Sequence, residues 1–266
     1  MGMNIFSVLN GTSANNLLIP NRDPGSVSGS IFIQNNLNLI GAEREQNILN
    51  EFIHGNIPDF LRNFTPITVT NNTDSITYLV MPDVLCIGSN DDYVRMPMNP
   101  LTAQKIADQY DCTLPTRKMS NDIWKNAVNK LDPRPWGPPY DGDMIKTYRI
   151  GVHNTTIQNQ LSASNLDPHS LTSGHKKDVV LTNRLYPNNP NKRAAIYGWI
   201  QSNGQAIQGL NPVSHEDTYE DYSHGIRMIA NDVIVNSNPM RIQDVFSDTK
   251  LWALVSDEGP LTFQRY

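Results

Sequence analysis

The sequence predicts an α+β protein in which early helices pack on a later, mostly antiparallel β-sheet with many loops. Helical periodicity is concentrated before residue 132, whereas most segments rich in β-branched and aromatic residues follow residue 143. The two kinds of segment do not alternate as they would in a parallel α/β fold. The 266 residues, 38% of them hydrophobic, are enough for one domain with a buried core.

Three helices are predicted in the first half of the chain. The first lies in GAEREQNILNEFIHGN, where apolar residues share one face and Gly55 can end the helix. The second begins at Pro100, because proline is tolerated in a first helical turn. Thr116 is a good N-cap for the third. Its apolar face recurs every four residues, at Met119, Ile123, Ala127 and Leu131.

Strands are predicted where β-branched and aromatic residues cluster between turn residues. The predicted strand segments are SITYLVMP, VLCIG, MIKTYRIGVH, KDVVLTNRL, RAAIYGWI, IRMIANDVIV and LWALVS.

These segments predict a single domain with two lobes. Residues 1–35 form an extended arm, residues 36–140 a helical or mixed lobe, and residues 141–266 a β-rich lobe that carries the functional site. The Pro- and Gly-rich segment DPRPWGPPYDGD cannot be regular and is predicted to connect the lobes.

Composition and missing motifs exclude several function classes. A net charge of −5 argues against a general nucleic-acid binder, which needs a basic face. No apolar run approaches the roughly 18 residues that a membrane-spanning helix requires. Two cysteines cannot form a cysteine cage for a metal. Glycine-rich nucleotide-binding motifs are missing too, so the sequence predicts no nucleotide cofactor.

The first candidate site segment is SGHKKDVVLTNR, at the entry to a strand. It places His175 and Asp178 beside a Val-Val-Leu core segment, and Gly174 allows a turn that brings both side chains to one substrate. We predict His175 as a general base oriented by Asp178, with Lys177 as a substrate-binding residue. A solvated polar strand entry is the alternative.

The second candidate segment is SHEDTYEDYSHGIRMIANDVIV, which is denser in polar groups. His224 lies between Ser223 and Gly225 ahead of an apolar strand, which suits an acid/base group within reach of a substrate. Arg227 can bind a carboxylate or oxyanion. The acidic run Glu216–Asp221 is predicted to be solvated. The predicted catalytic residues are therefore His175, Asp178, Ser223 and His224, and the predicted substrate-binding residues are Lys177, Trp199, Tyr222 and Arg227.

The segment SHGIRMIANDVIV resembles the SHGC-[IV]-R-[ML] signature of L,D-transpeptidases, which cross-link peptidoglycan with a catalytic cysteine. This sequence has no cysteine between Gly225 and Ile226, so the activity of that family does not carry over. More broadly, GHKKDVVLTNRL, AIYGW, DYSHGIRMI and residues 81–119 resemble a family of bacterial hypothetical proteins. That resemblance implies neither an activity nor site residues.

Two other kinds of site stay open. Cys112 precedes the helix capped by Thr116, so a papain-like cysteine hydrolase is an alternative, although Asp111 would raise the pKa of the thiol. We predict that Cys112 is not the nucleophile. No cofactor is predicted, and a zinc ion is the alternative. Its ligands would be His175, Asp178, His224 and His153, without any compact ligand motif in support.

The sequence therefore predicts a hydrolase with a His-centred site that acts on a cell-wall or extracellular polymer, peptidoglycan being the best single guess. The alternative is a non-catalytic glycan- or peptide-binding structural, surface or phage protein. The expected partner is a polymeric glycan or peptide, not nucleic acid. Compartment and oligomeric state stay open, since a cytoplasmic protein and a secreted one that has lost its signal would look alike.

Overall fold

The computed structural model describes residues 17–137, 142–185, 193–210 and 215–266. Six α-helices lie within these ranges. They are α1 (Gly29–Asn35), α2 (Gly41–Ile53), α3 (Pro100–Gln109), α4 (Arg117–Asn126), α5 (Thr147–Ala163) and α6 (Ile242–Ser247). Short 3-10 helices occur at Asp59–Arg62, Gly142–Ile145 and Leu251–Leu254.

Sixteen short strands lie within the same ranges. They are β1 (Thr65–Thr70), β2 (Ser75–Val80), β3 (Cys86–Gly88), β4 (Tyr93–Arg95), β5 (Cys112–Thr113), β6 (Asn129–Lys130), β7 (Thr172–Ser173), β8 (Lys177–Val179), β9 (Arg193–Ala194), β10 (Ile196–Ile200), β11 (Ala206–Gln208), β12 (His215–Glu216), β13 (His224–Gly225), β14 (Ile229–Ala230), β15 (Asp232–Val235) and β16 (Asn238–Arg241).

The strands form mixed sheets in which antiparallel pairs dominate. The largest sheet has six strands in the order β16-β15-β2-β14-β5, with β1 also paired to β2. A second sheet has the order β11-β10-β8-β13, and its β13–β8 pair is parallel. Three further pairs are β12–β9, β3–β4 and the parallel pair β6–β7. The second sheet positions the candidate site.

The predicted α+β class is confirmed, and so are several local features. Asn99 caps α3 by accepting a hydrogen bond from the Thr102 amide at 2.9 Å, with Pro100 in the first turn. Thr116 caps α4 by accepting from the Met119 amide at 3.1 Å. Both caps pair backbone donors that every helix leaves free at its start. The Thr116 cap and the helix start at Pro100 are as the sequence predicts.

The predicted strand MIKTYRIGVH is wrong, because residues 147–163 form α5, which is the longest helix described. Its buried side chains include Ile150, His153, Ile157 and Leu161, which recur at three- and four-residue spacing. The β-branched and aromatic residues of this segment favour a strand locally, but burial along one helical face outweighs that propensity.

Two other expectations are also wrong. LWALVS forms a 3-10 helix and not a strand, because the Asp248 carboxylate accepts hydrogen bonds from the Lys250 and Leu251 amides at 2.7 and 2.8 Å. The part of the predicted arm that is described contains helix α1. The first turn of this short helix is held by Asp92, a loop residue distant in the chain. Its carboxylate accepts a hydrogen bond from the Ser30 amide at 2.9 Å.

The two-lobe division stays a prediction, and residues 1–16 of the predicted arm lie outside the described ranges. The six-stranded sheet takes strands from both predicted lobes, β1, β2 and β5 from one and β14–β16 from the other. Among the described residues, no helix has both the length and the apolar character needed to span a membrane.

Gly174 has a positive φ of 101°, and a Cβ atom there would lie 2.2 Å from the Leu131 carbonyl oxygen. Gly174→Ala therefore forces both a disfavoured backbone conformation and a clash with backbone. We expect it to lower the free energy of unfolding by about 2 kcal/mol or more, measured by urea denaturation. Gly209→Ala is the matched control, since a Cβ there meets nothing within 4 Å. Equal stability of the two variants would contradict the prediction.

Candidate functional site

The candidate site is organised by the parallel pairing of β13 with β8. This pairing sets His224 opposite Lys177 and Gly225 opposite Asp178. The strands come close because Gly225 has no side chain, and a Cβ there would lie 2.7 Å from Val84 and 2.8 Å from Lys176. Both candidate segments of the sequence therefore meet in the structure.

A cluster of fully buried charges lies beneath these strands. Arg95 contacts the Asp83 carboxylate with Nε at 2.9 Å and its terminal nitrogen at 2.7 Å. Nε2 of His175 lies 3.0 Å from the other carboxylate oxygen of Asp83. Burial alone would raise the pKa of Asp83, but Arg95 and His175 outweigh it and hold that pKa well below its usual range. Asp83 is therefore a carboxylate that neutralises Arg95.

His175 is held in this cluster as a neutral side chain. Burial lowers the pKa of His175 to about 4, and Asp83 only partly opposes that shift. The side chain is 1% exposed. The predicted base thus faces Asp83 and not a cavity.

Asp178 and Arg227 are also buried in the interior. Asp178 lies beside Ser120 of α4, and burial raises the pKa of its carboxyl group although Arg227 opposes this. Arg227 donates to two backbone carbonyl oxygens, those of Met81 at 3.0 Å and Thr172 at 2.7 Å. Its guanidinium therefore joins two chain segments.

A cavity of about 580 Å³ lies on the other side of the strands. Its lining is largely aromatic and apolar, with Lys177 as its cationic residue. It is lined by Pro135, Trp136, Gly142, Met144, Ile145, Lys177, Trp199, Tyr219 and Tyr222. This volume falls within the range of small-molecule sites.

Trp199 is fixed in the cavity wall by an unusual backbone. Its φ is +52°, a rare conformation for a bulky residue, and it follows Gly198 with φ of 139°. The indole Nε1 donates to the His175 carbonyl oxygen at 3.1 Å, and the backbone amide donates to the Lys176 carbonyl oxygen at 3.0 Å. Strained residues held in this way cluster at functional sites.

Asp221 organises the polar end of the cavity. One carboxylate oxygen accepts hydrogen bonds from the amide (2.8 Å) and hydroxyl of Ser223, and the other from the Tyr219 hydroxyl at 3.0 Å. Burial alone would raise the pKa of Asp221, but His224 and Lys177 outweigh it and lower that pKa. Ser223 therefore serves to hold Asp221 and lies away from the cavity.

His224 lies directly behind Tyr219, with the two ring centroids 5.8 Å apart. The His215 ring stacks on the Tyr219 ring, with the centroids 3.9 Å apart. His224 is completely buried, and within the described ranges neither of its ring nitrogens has a hydrogen-bond partner. Burial lowers the pKa of His224 to about 4, although Asp221 opposes the shift, so the ring is neutral at neutral pH.

Of the four acidic residues in the run before Ser223, Glu216 is exposed as predicted and the other three are not. Asp217, Glu220 and Asp221 are all buried, at 9%, 4% and 5% exposed. Glu220 forms a buried ion pair with Arg44 of α2, and Arg44 also donates to the Ile145 carbonyl oxygen at 2.6 Å. Because Ile145 lines the cavity, this ion pair ties the cavity wall to α2.

The predicted site residues thus separate into two groups. Lys177, Trp199 and Tyr222 line the cavity, whereas Arg227 does not. The predicted catalytic residues lie behind the lining, with His175 and Asp178 in the buried charge cluster and Ser223 and His224 beside Asp221. His153, on α5, packs edge-on against the Tyr222 ring at 4.9 Å. In the described part of the chain no three His, Cys, Asp or Glu side chains are grouped to hold a metal ion.

Cys86 and Cys112 are both buried, and burial raises the pKa of each thiol above its ordinary range. In each case a neighbouring carboxylate, Asp83 or Asp111, raises the pKa further. A nucleophilic thiol needs the opposite, a lowered pKa and access to substrate.

Sequence reasoning missed Asp83, Arg95 and the hydroxyl of Tyr219. Asp83 and Arg95 stand inside apolar segments, MPDVLCIG and YVRMPM, and a charge in such a segment signals a buried pair. Tyr219 carried no local signal, because its role depends on Asp221 and the cavity.

Comparison of the chain with protein-family models, with curated proteins and with solved structures found no match in any of the three.

The buried neutral His224 predicts a specific pH dependence. The lowered pKa means that the unfolded chain binds a proton between about pH 6.5 and pH 4 and the folded chain does not, so stability falls as pH falls through this window. We expect His224→Gln to flatten the slope of unfolding free energy against pH there by up to about 1.4 kcal/mol per pH unit. The exposed His54→Gln is the control. An unchanged slope in His224→Gln would contradict the assignment.

Proposed function

We propose that this protein binds a glycan polymer and that the aromatic cavity holds one saccharide unit. The observation that carries the proposal is the lining, which combines the rings of Trp136, Trp199, Tyr219 and Tyr222 with one amine, that of Lys177. Aromatic faces carry partial negative charge and attract the polarised C–H groups of a sugar ring. Hydroxyl and amine tips then bind sugar hydroxyls, so the mixture suits a saccharide better than a purely apolar ligand.

Hydrogen bonds within the protein hold two rings of the cavity wall in place. The indole of Trp199 is bonded to the His175 carbonyl oxygen, and the Tyr222 hydroxyl accepts from the Trp136 amide at 2.6 Å. Rings held in place lose little conformational entropy when a ligand binds, which favours affinity.

A glycan fits this lining better than an extended peptide does. Extended peptides obtain affinity mainly from main-chain hydrogen bonds to the edge of a sheet. The cavity instead offers side-chain rings with polar tips.

The binding proposal predicts a loss of affinity in Trp136→Ala. Trp136 is half-buried, and removing its ring should weaken binding of peptidoglycan strands and of neutral N-acetylglucosamine oligomers by roughly tenfold. Isothermal titration calorimetry measures the affinity, and quenching of tryptophan fluorescence gives a second readout. Trp252→Ala makes the same change outside the cavity and should bind as the wild type does. Absence of any glycan binding by the wild type would overturn the proposal.

Hydrolysis of the bound polymer is the second candidate function, and the arrangement of Asp221 and His224 behind Tyr219 favours it. Because His224 is buried behind Tyr219, this role requires Tyr219 to move aside and admit a water molecule. The neutral imidazole, whose nitrogens have no partner among the described residues, would then accept a proton from that water, and Asp221 would stabilise the resulting cation. His175 is not proposed as its partner, because Asp83 already occupies His175.

Hydrolysis is tested by the release of reducing ends or soluble fragments from purified peptidoglycan. We expect His224→Gln to lower the rate by about 100-fold or more, because it removes the proton acceptor, while glycan affinity changes little. His54→Gln should match the wild type. A wild type that binds glycan but releases no fragments above background would eliminate hydrolysis and leave the binding function.

A further inference from the structure

Lys177 lines the cavity with an amine that forms no hydrogen bond or ion pair with the described residues. It begins β8, is half-buried, and holds its Nζ 4.1 Å from the centre of the Trp199 ring. This cation–π contact fixes the amine over the aromatic wall without consuming its hydrogen-bond donors.

The amine has no hydrogen-bond or ion-pair partner among the described residues. Burial lowers the pKa of Lys177, and only Asp221 opposes this. The oxygens of Asp221 are already bonded to Ser223 and Tyr219. Adjacent Lys176 shows the contrast, since its Nζ donates to the Tyr222 carbonyl oxygen. Three donors on a partly desolvated cation thus face the cavity unused.

We propose that Lys177 selects glycans whose sugar carries a carboxylate, so that the preferred ligand is an acidic saccharide. The proposal rests on the proposed glycan-binding function and names its ligand class. A carboxylate beside a sugar ring would pair with Nζ while the ring contacts the aromatic wall. The attraction is strengthened because part of the water around the amine is excluded.

Charges near the amine limit the ligand to a small negative charge. Asp221 carries a buried carboxylate that would repel a multiply charged group. His215 and His224 both pack against the Tyr219 ring, and burial lowers the pKa of both. Because Lys177 is the one cation among the lining residues, it can pair with one carboxylate of the ligand.

The test compares matched acidic and neutral sugars on the full chain. Oligogalacturonate is compared with galactose oligomers, and N-acetylmuramic acid with N-acetylglucosamine, because each pair differs by a carboxylate-bearing group. By isothermal titration calorimetry the wild type should bind the acidic member at least tenfold more tightly. Added salt should weaken this preference.

Variants of Lys177 show whether the amine causes the preference. Lys177→Met keeps the apolar stem and should reduce the ratio of acidic to neutral affinity to about onefold, because the acidic sugars lose more affinity than the neutral sugars do. Lys177→Arg keeps the charge and should retain most of the preference. Lys130→Met is the matched control, because Lys130 lies over the Trp124 ring at 4.9 Å outside the cavity lining.

The outcomes separate this inference from the binding function. Equal affinity of the wild type for acidic and neutral sugars would overturn the role of Lys177 and leave glycan binding standing. A preference that survives in Lys177→Met would also overturn it. If Lys177→Met fails to fold, the role of Lys177 is still tested by three measurements. These are the ratio of acidic to neutral affinity in the wild type, the salt dependence of that ratio, and the same ratio in Lys177→Arg. A wild type that binds no glycan would overturn both proposals.

Discussion

The buried ion pair between Asp83 and Arg95 is the constraint on which the site depends. A carboxylate and a guanidinium with no solvent exposure are tolerated only when each is fully paired, since removing one partner of such a pair costs roughly 3–5 kcal/mol. Asp83 also contacts His175, and the Arg95 amide donates to the Asn154 side chain of α5 at 3.1 Å. One ion pair thus joins the hairpin β3–β4, helix α5 and the entry to β8.

The same cluster carries the wall of the cavity. The backbone carbonyl oxygen of His175 accepts a hydrogen bond from the Trp199 indole. The side chain of the next residue, Lys176, donates to the Tyr222 carbonyl oxygen. Lys177 then faces the cavity. Lys176 therefore points into the interior, and the next residue, Lys177, points into the cavity. The buried charges hold this stretch of backbone in place, and the backbone in turn positions the aromatic rings.

Histidine content alone is a poor guide to the chemistry of this protein. His175 and His224 are neutral because they are buried, and both lie behind the side chains that a ligand would touch. The lining is aromatic with one amine, which is the arrangement expected of a binding surface. Any acid/base chemistry of His224 would depend on Asp221, because that carboxylate raises the pKa of His224 against the lowering caused by burial.

The sequence by itself determined the class of fold, the helix start at Pro100, the cap at Thr116, and the segments that contribute to the site, because these depend on local periodicity and backbone hydrogen bonding. Only the tertiary structure decided that residues 147–163 form a helix and that Asp221 is buried. It also decided which of Lys177 and Asp178 faces the cavity. These outcomes depend on contacts between residues far apart in the chain, above all the parallel register of His224 with Lys177. A strand reverses its exposed face at every residue, so no local pattern specifies which face meets the cavity until that register is set.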